Sequence, residues 1–188
     1  MSISAPRPLW QYCSLRQVVV ARRRKIANIL PMTKTVPMRP RLAPKATLSF
    51  AIVASQYNAQ YTQPLVDNAY AELNIMEPGA TVALVSSPGS FEIPLIVQTL
   101  AELERYQAIL ALGVLFQGET AHASLVAQGV TNALLQISLA YRVPVIHEVL
   151  LLETEEQARA RCLGKDMNRG VEAARAAVAA ARSLREIK

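Results

Sequence analysis

The chain has little cysteine, little histidine and no long hydrophobic run. Of its 188 residues only Cys13 and Cys162 are cysteines, in dissimilar contexts and at no metal-ligand spacing. That rules against a disulfide framework and makes a reducing compartment, the cytoplasm, the expectation. No apolar run approaches the ~20 residues of a membrane-spanning helix. Residues 18–21, Val-Val-Val-Ala, are too short for the apolar core of a secretory signal.

Acidic residues are missing from the first 46 positions, which hold ten of the 20 Lys and Arg and six of the 11 prolines. The formal net charge of +6 is therefore a property of this arm. The rest of the chain carries ten basic against 14 acidic side chains, a net −4. A basic, Pro-rich extension (residues 1–46) thus precedes a mildly acidic domain (residues 47–188), and the domain is not read as a nucleic-acid binder. Within the arm, residues 17–30 can form a short basic helix around Arg22-Arg23-Arg24-Lys25. An Arg-rich, acid-free N-terminus also resembles an organelle transit peptide, which would move the location from cytoplasm to organelle. A solvated tail, or a start at Met32 or Met38, reads the same residues more simply.

From residue 47 strands and helices alternate. The apolar run 48–54 ends in Ser55-Gln56-Tyr57-Asn58, and the spacing of Leu65, Ala69 and Leu73 predicts a helix over 64–73. A strand over 81–85 is closed by Ser86-Ser87-Pro88-Gly89, and a helix over 91–103 tolerates Pro94 in its first turn. Then come a strand over 108–116, a helix over 120–141, a strand over 143–151, and helices over 154–161 and 169–184. This order predicts an α/β fold: a three-layer α/β/α sandwich with a four-stranded parallel sheet, flavodoxin-like, with right-handed crossovers. Ligands of such sheets collect at the carboxyl ends of the strands. The polar and glycine-rich residues of this chain cluster in those turns.

One turn concentrates chemistry. Residues 113–123 read Gly-Val-Leu-Phe-Gln-Gly-Glu-Thr-Ala-His-Ala: a strand, a glycine turn and a helix start at about Thr120. Unpaired N–H groups and the positive end of a helix dipole suit a phosphate. The imidazole of His122 beside them adds proton transfer near neutral pH. Plainer readings stand next to these: His122 as a surface residue, Ser90 as a helix N-cap, Glu92 as a first-turn acid, Arg161 as a solvated charge, Tyr57 as a core aromatic.

Taken in order, the turns resemble the lumazine synthase family, the enzymes of the penultimate step of riboflavin biosynthesis. The matching residues are Ile52-Val53-Ala54-Ser55-Gln56-Tyr57-Asn58, Pro88-Gly89-Ser90-Phe91-Glu92-Ile93-Pro94 and Gly118-Glu119-Thr120-Ala121-His122. Val143-Pro144-Val145, Thr154-Glu155-Glu156-Gln157-Ala158, and Arg161 followed by Asn168-Arg169-Gly170-Val171-Glu172 complete the set, so the likeness spans about residues 49–184. It implies a transferase that condenses 5-amino-6-(D-ribitylamino)uracil with 3,4-dihydroxy-2-butanone 4-phosphate to 6,7-dimethyl-8-ribityllumazine, releasing phosphate and water. Neither metal nor organic cofactor is used in the family.

The resemblance also implies roles. His122 would transfer protons, and Arg161 would hold the phosphate with the backbone of Gly118, Glu119 and Thr120. Tyr57, with Asn58 beside it, would stack on the pyrimidine. Gly89, Ser90, Phe91 and Glu92 would form the turn for the ribityl chain and ring, and Arg169 and Glu172 match a Lys and a Glu of the family. Members are homo-oligomers, pentamers with active sites between neighbours, and some build sixty-subunit shells. The spacing from Arg161 to Asn168 has the shell-forming length, while Leu163 and Met167 replace small residues there, so pentamer or 60-mer stays open. The alternatives by class are a diverged, non-catalytic flavin- or lumazine-binding oligomer on the same fold, and a scaffold whose basic arm draws anionic cargo.

The chain departs from the family pattern at Gln56 for Arg, Ala123 for an aromatic, Met167 for Gly, Arg169 for Lys, and His147-Glu148 for Phe-Gly. Neighbouring side chains of a strand point to opposite faces. Of that pair only His147 is therefore expected in the ring pocket, where it would make pyrimidine binding weaker or more pH-dependent.

Overall fold

The computed structural model describes residues 48–187; the basic extension, its helix over 17–30 and the transit reading lie outside them. Four strands, β1 (Ser49–Ser55), β2 (Thr81–Ser87), β3 (Ala108–Phe116) and β4 (Val145–Leu152), are joined by α1 (Ala59–Met76), α2 (Ile93–Glu102) and α3 (His122–Tyr141). After β4 come α4 (Glu155–Ala158), a π-helical turn (Arg159–Leu163) and α5 (Arg169–Ile187). All strand pairs are parallel in the order β2-β1-β3-β4, with Phe50 between Val82 and Ala108 and Leu112 opposite Glu148. This is the α/β/α sandwich that the alternation of elements predicts.

Burial explains the strand sequences. β1 and β3 lie in the middle and are covered on both faces, so they read as continuous apolar runs instead of alternating ones. Residues such as Phe50, Ile52, Leu110 and Leu112 are essentially sealed from solvent, each contributing about 1.5–3 kcal/mol. Edge strand β2 is partly open, and Leu84 is exposed on it. α1 and α5 cover one face, around Leu65, Leu73, Ala174 and Ala177. α2 and α3 cover the other, around Val97, Val130 and Leu134. The handedness rule requires this division. The step from β1 to β2 runs one way along the sheet, the later steps run back, and right-handed crossovers in opposite directions use opposite faces.

The helices on the first face touch backbone to backbone. A Cβ on Gly170 would lie 2.3 Å from the Leu65 carbonyl oxygen, so α5 can reach α1 only through glycine there. Arg175 Nε donates to the buried Glu72 carboxylate at 2.8 Å and pins the same contact.

Three elements differ from the sequence expectation. α1 starts at Ala59, ahead of the predicted 64. Asn58 in the left-handed region (φ 54°) presents its carbonyl to the Tyr61 and Thr62 N–H groups, and the helix then runs through Pro64. The segment predicted as one helix over 154–161 is α4 followed by a π turn, closed by the Gly164 N–H on the Arg159 carbonyl at 2.9 Å. α3, 20 residues long with a mean hydropathy of 1.2 over its most apolar 18 residues, is apolar and long enough to cross a membrane by length and composition. Its Val130, Leu134 and Ile137 pack on the sheet, while Leu125, Leu135 and Leu139 are exposed on the single chain.

Candidate active site

The sheet reverses its winding between β1 and β3, and the chain leaves these two strands in opposite directions. The crevice that this opens at their carboxyl ends is the expected ligand site of such a sheet. A cleft of about 480 Å³ lies there. Tyr57 and Asn58 reach it from the end of β1, Gly89 to Glu92 from the turn after β2, and His122 from the first position of α3. Ala123 of α3, with Leu115 and Phe116 of β3 and Val126 of α3, completes the wall; sequence reasoning had placed the last three only in their strand and helix.

Local hydrogen bonds fix these turns. The Asn58 side-chain amide donates to the Val114 carbonyl at 2.8 Å, tying the β1 turn to β3. The Tyr57 N–H donates to Ser55 Oγ at 3.1 Å, and Thr62 Oγ1 donates to the Tyr57 carbonyl at 3.0 Å. The backbone of Tyr57 is thus held while its side chain stays 71% exposed, which excludes the core-aromatic reading. In the second turn Ser87 Oγ donates to the Gly89 carbonyl at 2.7 Å.

Ser90 is buried, yet among the described residues its Oγ has no hydrogen-bond partner. It is not the N-cap of α2: Glu92 holds that position, with no capping bond from its own side chain. The hydroxyl instead sits over β3, where a Cβ on Gly113 would be 3.0 Å from it. An unsatisfied buried hydroxyl costs about 1–3 kcal/mol. Such a group in the lining of a cleft is ready to bond a polar ligand atom.

Gly118, Glu119 and Thr120 form an exposed loop between β3 and α3. Gln117, which sequence reasoning missed, braces it: Nε2 donates to the carbonyls of Gly118 (3.0 Å) and Thr120 (3.2 Å), and Ser124 Oγ donates to Oε1 at 2.6 Å. Nothing in its one-residue context marks a glutamine for this task. The N-terminus of α3 has no side-chain cap, so its leading N–H groups and dipole remain open to an anion next to His122.

The other predicted site residues do not line this cleft. Arg161 stands on the π turn; Asn168 braces the linker that follows by donating to the carbonyls of Cys162 (2.9 Å) and Gly164 (3.1 Å) while its Oδ1 accepts from the Val171 N–H (3.1 Å). Arg169 and Glu172 pair in the first turn of α5. Arg169 Nε also lies 3.1 Å from Glu148 Oε2, close enough for charge attraction though off line for a hydrogen bond. Burial, partly offset by Arg169, pushes the Glu148 carboxyl up to about 7. As strand alternation requires, His147 points to the opposite face. Its Nε2 is 2.8 Å from Thr131 Oγ1, whose hydroxyl donates to the Ala127 carbonyl at 2.7 Å. That network assigns the proton to Nε2, leaving Nδ1 to accept weakly from the Val149 N–H. Burial lowers the His147 pKa, keeping the ring neutral. Among the described residues no group of three or more His, Cys, Asp or Glu is placed to hold a metal ion.

Residues 47–185 match the family model described as 6,7-dimethyl-8-ribityllumazine synthase. The chain is 44% identical over 145 residues to a protein of that name from Streptomyces coelicolor, covering 74% of this chain and 87% of the relative. It is 38% identical over 145 residues to the one from Coxiella burnetii, covering 77% and 96%. The 6,7-dimethyl-8-ribityllumazine synthase 1 of Caulobacter vibrioides is 37% identical over 155 residues, covering 82% and 96%.

Proposed function

The chain belongs to the 6,7-dimethyl-8-ribityllumazine synthase family, and we propose that it condenses 5-amino-6-(D-ribitylamino)uracil with 3,4-dihydroxy-2-butanone 4-phosphate at the cleft between β1 and β3. The observation that carries this reading is the convergence of His122, the unpartnered Ser90 hydroxyl and the exposed Tyr57 side chain beside the uncapped start of α3. Tyr57 stacks on the pyrimidine. Ser90 and Glu92, with the backbone of Gly89 and Phe91, take the ribityl hydroxyls and ring edge. The α3 N-terminus and the loop Gly118-Glu119-Thr120 attract the phosphate. His122 moves protons as the pyrimidine amine forms an imine with the ketone and expels water, phosphate departs, and the ring closes with loss of a second water. Positioning of two substrates side by side supplies much of the rate, and the proton shuttle adds roughly 10²–10⁴-fold.

Arg161, Arg169, Glu172 and His147 lie off the cleft of their own chain, which supports a site completed by a neighbouring copy. The apolar surface of α2 and α3 that faces away from the sheet, with Leu95, Leu125, Leu135 and Leu139 exposed, supports the same assembly because a patch of that kind calls for cover. A pentamer, alone or as the unit of a larger shell, is the assembly this reading takes. Arg161 from one copy then meets the phosphate held at the α3 terminus of the next, with a guanidinium fork suited to its oxygens.

The test is turnover of both substrates by the purified chain, followed as lumazine formation above the uncatalysed background. Acceleration that falls roughly 10²-fold in His122→Ala, with a raised KM for the phosphorylated ketone in Arg161→Ala, is the expected result. Tight lumazine or flavin binding without any acceleration would replace the synthase reading with a binding role.

A further inference from the structure

The α5 face of β4 carries a charged cluster outside the cleft. Glu148 occupies it where the family pattern has glycine, and the residue is only 7% exposed. Arg169, at the first position of α5, brings Nε to 3.1 Å from Glu148 Oε2 and pairs through Nη1 with Glu172. The π turn brings Arg161 and Cys162 within electrostatic range of the same carboxyl. Its neighbour across β3 is Leu112, and His147 beside it turns to the α3 face. Two guanidinium groups therefore stand against two carboxylates, a formal balance of zero. Without Glu148 the same positions would carry one net positive charge. Among the described residues Glu148 Oε2 has no well-aligned hydrogen-bond partner, and its ion pair with Arg169 is the contact that holds the acid there.

We propose that Glu148 is a positioning residue that sets the strength of the phosphate half-site: it holds and neutralises Arg169, leaving Arg161 as the principal cation for a phosphate-bearing substrate. The inference rests on the reading of Arg161 given above. A glycine at this position would leave Arg169 with Glu172 alone and two cations to share a dianion. Since the Glu148 carboxyl titrates at about 7, protonation has the same effect, freeing Arg169 as the solution turns mildly acid. Affinity for a doubly charged anion therefore rises as pH falls. Cys162, raised to about 11 by burial and then by Glu148, stays neutral throughout and takes no part.

The experiment is calorimetric titration of the full chain with inorganic sulfate, which keeps both charges from about pH 5.5 to about pH 8.5. Glu148→Gln and Glu148→Gly are measured beside the wild type, and Arg161→Ala locates the site. At the alkaline end both Glu148 variants should bind sulfate roughly five- to twentyfold tighter than wild type, the scale of one unit charge at close range. At the acid end the Gln variant and wild type should agree within about twofold. Every group other than residue 148 is common to wild type and the Glu148 variants, so the difference between their curves is the quantity read. Equal sulfate affinities across the range, or binding that survives in Arg161→Ala, overturn the proposal. Turnover assayed on the same preparations separates the two readings. A lower KM for the phosphorylated ketone with an unchanged KM for the pyrimidine joins the cluster to the reaction. A sulfate difference in a chain without turnover keeps the cluster and removes the reaction.

Discussion

Replacing Glu148 by glutamine should stabilise the fold, and by an amount that grows with pH. The carboxyl sits behind β4 with its side chain 10% exposed, and burial raises its pKa from 4.5 to about 7 against the pull of Arg169. Between these values the native chain holds a proton that the unfolded chain has released, so the unfolded state gains in relative stability as pH rises. Stability from this group is complete below 4.5, declines through the interval, and is fully lost above about 7. At 1.36 kcal/mol per unit, the loss is about 0.8 kcal/mol at pH 5 and about 3 kcal/mol at pH 8. Glutamine copies the protonated shape without titrating. The advantage of Glu148→Gln over wild type should therefore grow by about 2–3 kcal/mol between these pH values. Urea unfolding at one fixed protomer concentration measures it, because assembly makes stability concentration-dependent. A difference that is flat with pH, or a Gln variant that weakens as pH rises, would refute the reasoning and make the Arg169 contact a net contributor.

Ser90→Ala removes a buried hydroxyl that has no hydrogen-bond partner among the described residues, so the thermal midpoint should hold or rise while the KM for the pyrimidine increases roughly tenfold; a fall in stability with normal KM would make the hydroxyl structural. Gly170→Ala drives a Cβ to 2.3 Å from the Leu65 carbonyl oxygen, a backbone atom that cannot yield without moving α1. Denaturant titration should show a loss of about 2–4 kcal/mol, and a loss under about 0.5 kcal/mol would mean α5 shifts freely. Leu95→Asp, on a side chain 70% exposed, should leave the fold intact but shift sedimentation toward smaller species, and unchanged sedimentation would take the α2 and α3 surface out of the assembly.

Sequence alone determined the elements whose causes are local. The apolar runs of β1 and β3 can only be strands covered on both faces, and the single order of strand, turn and helix admits one sheet with right-handed crossovers. The turns that line the cleft were legible for the same reason, since their Gly, Ser, Asn and His residues stand at strand ends whatever the packing. Tertiary structure decided the rest. The start of α1 depends on Asn58 finding the Val114 carbonyl across the sheet. The π turn that carries Arg161 lies in a segment with ordinary helical spacing. Gln117 braces the loop before α3, and Ser124 in the first turn of that helix returns to hold it. The partnership of Glu148 with Arg169 joins residues that no periodicity connects, and it exists because α5, held close to α1 through Gly170, starts beside β4. Local patterns fix what a segment forms. Which charges then share one buried space depends on contacts between segments far apart in the chain, and those exist only after the sheet has closed.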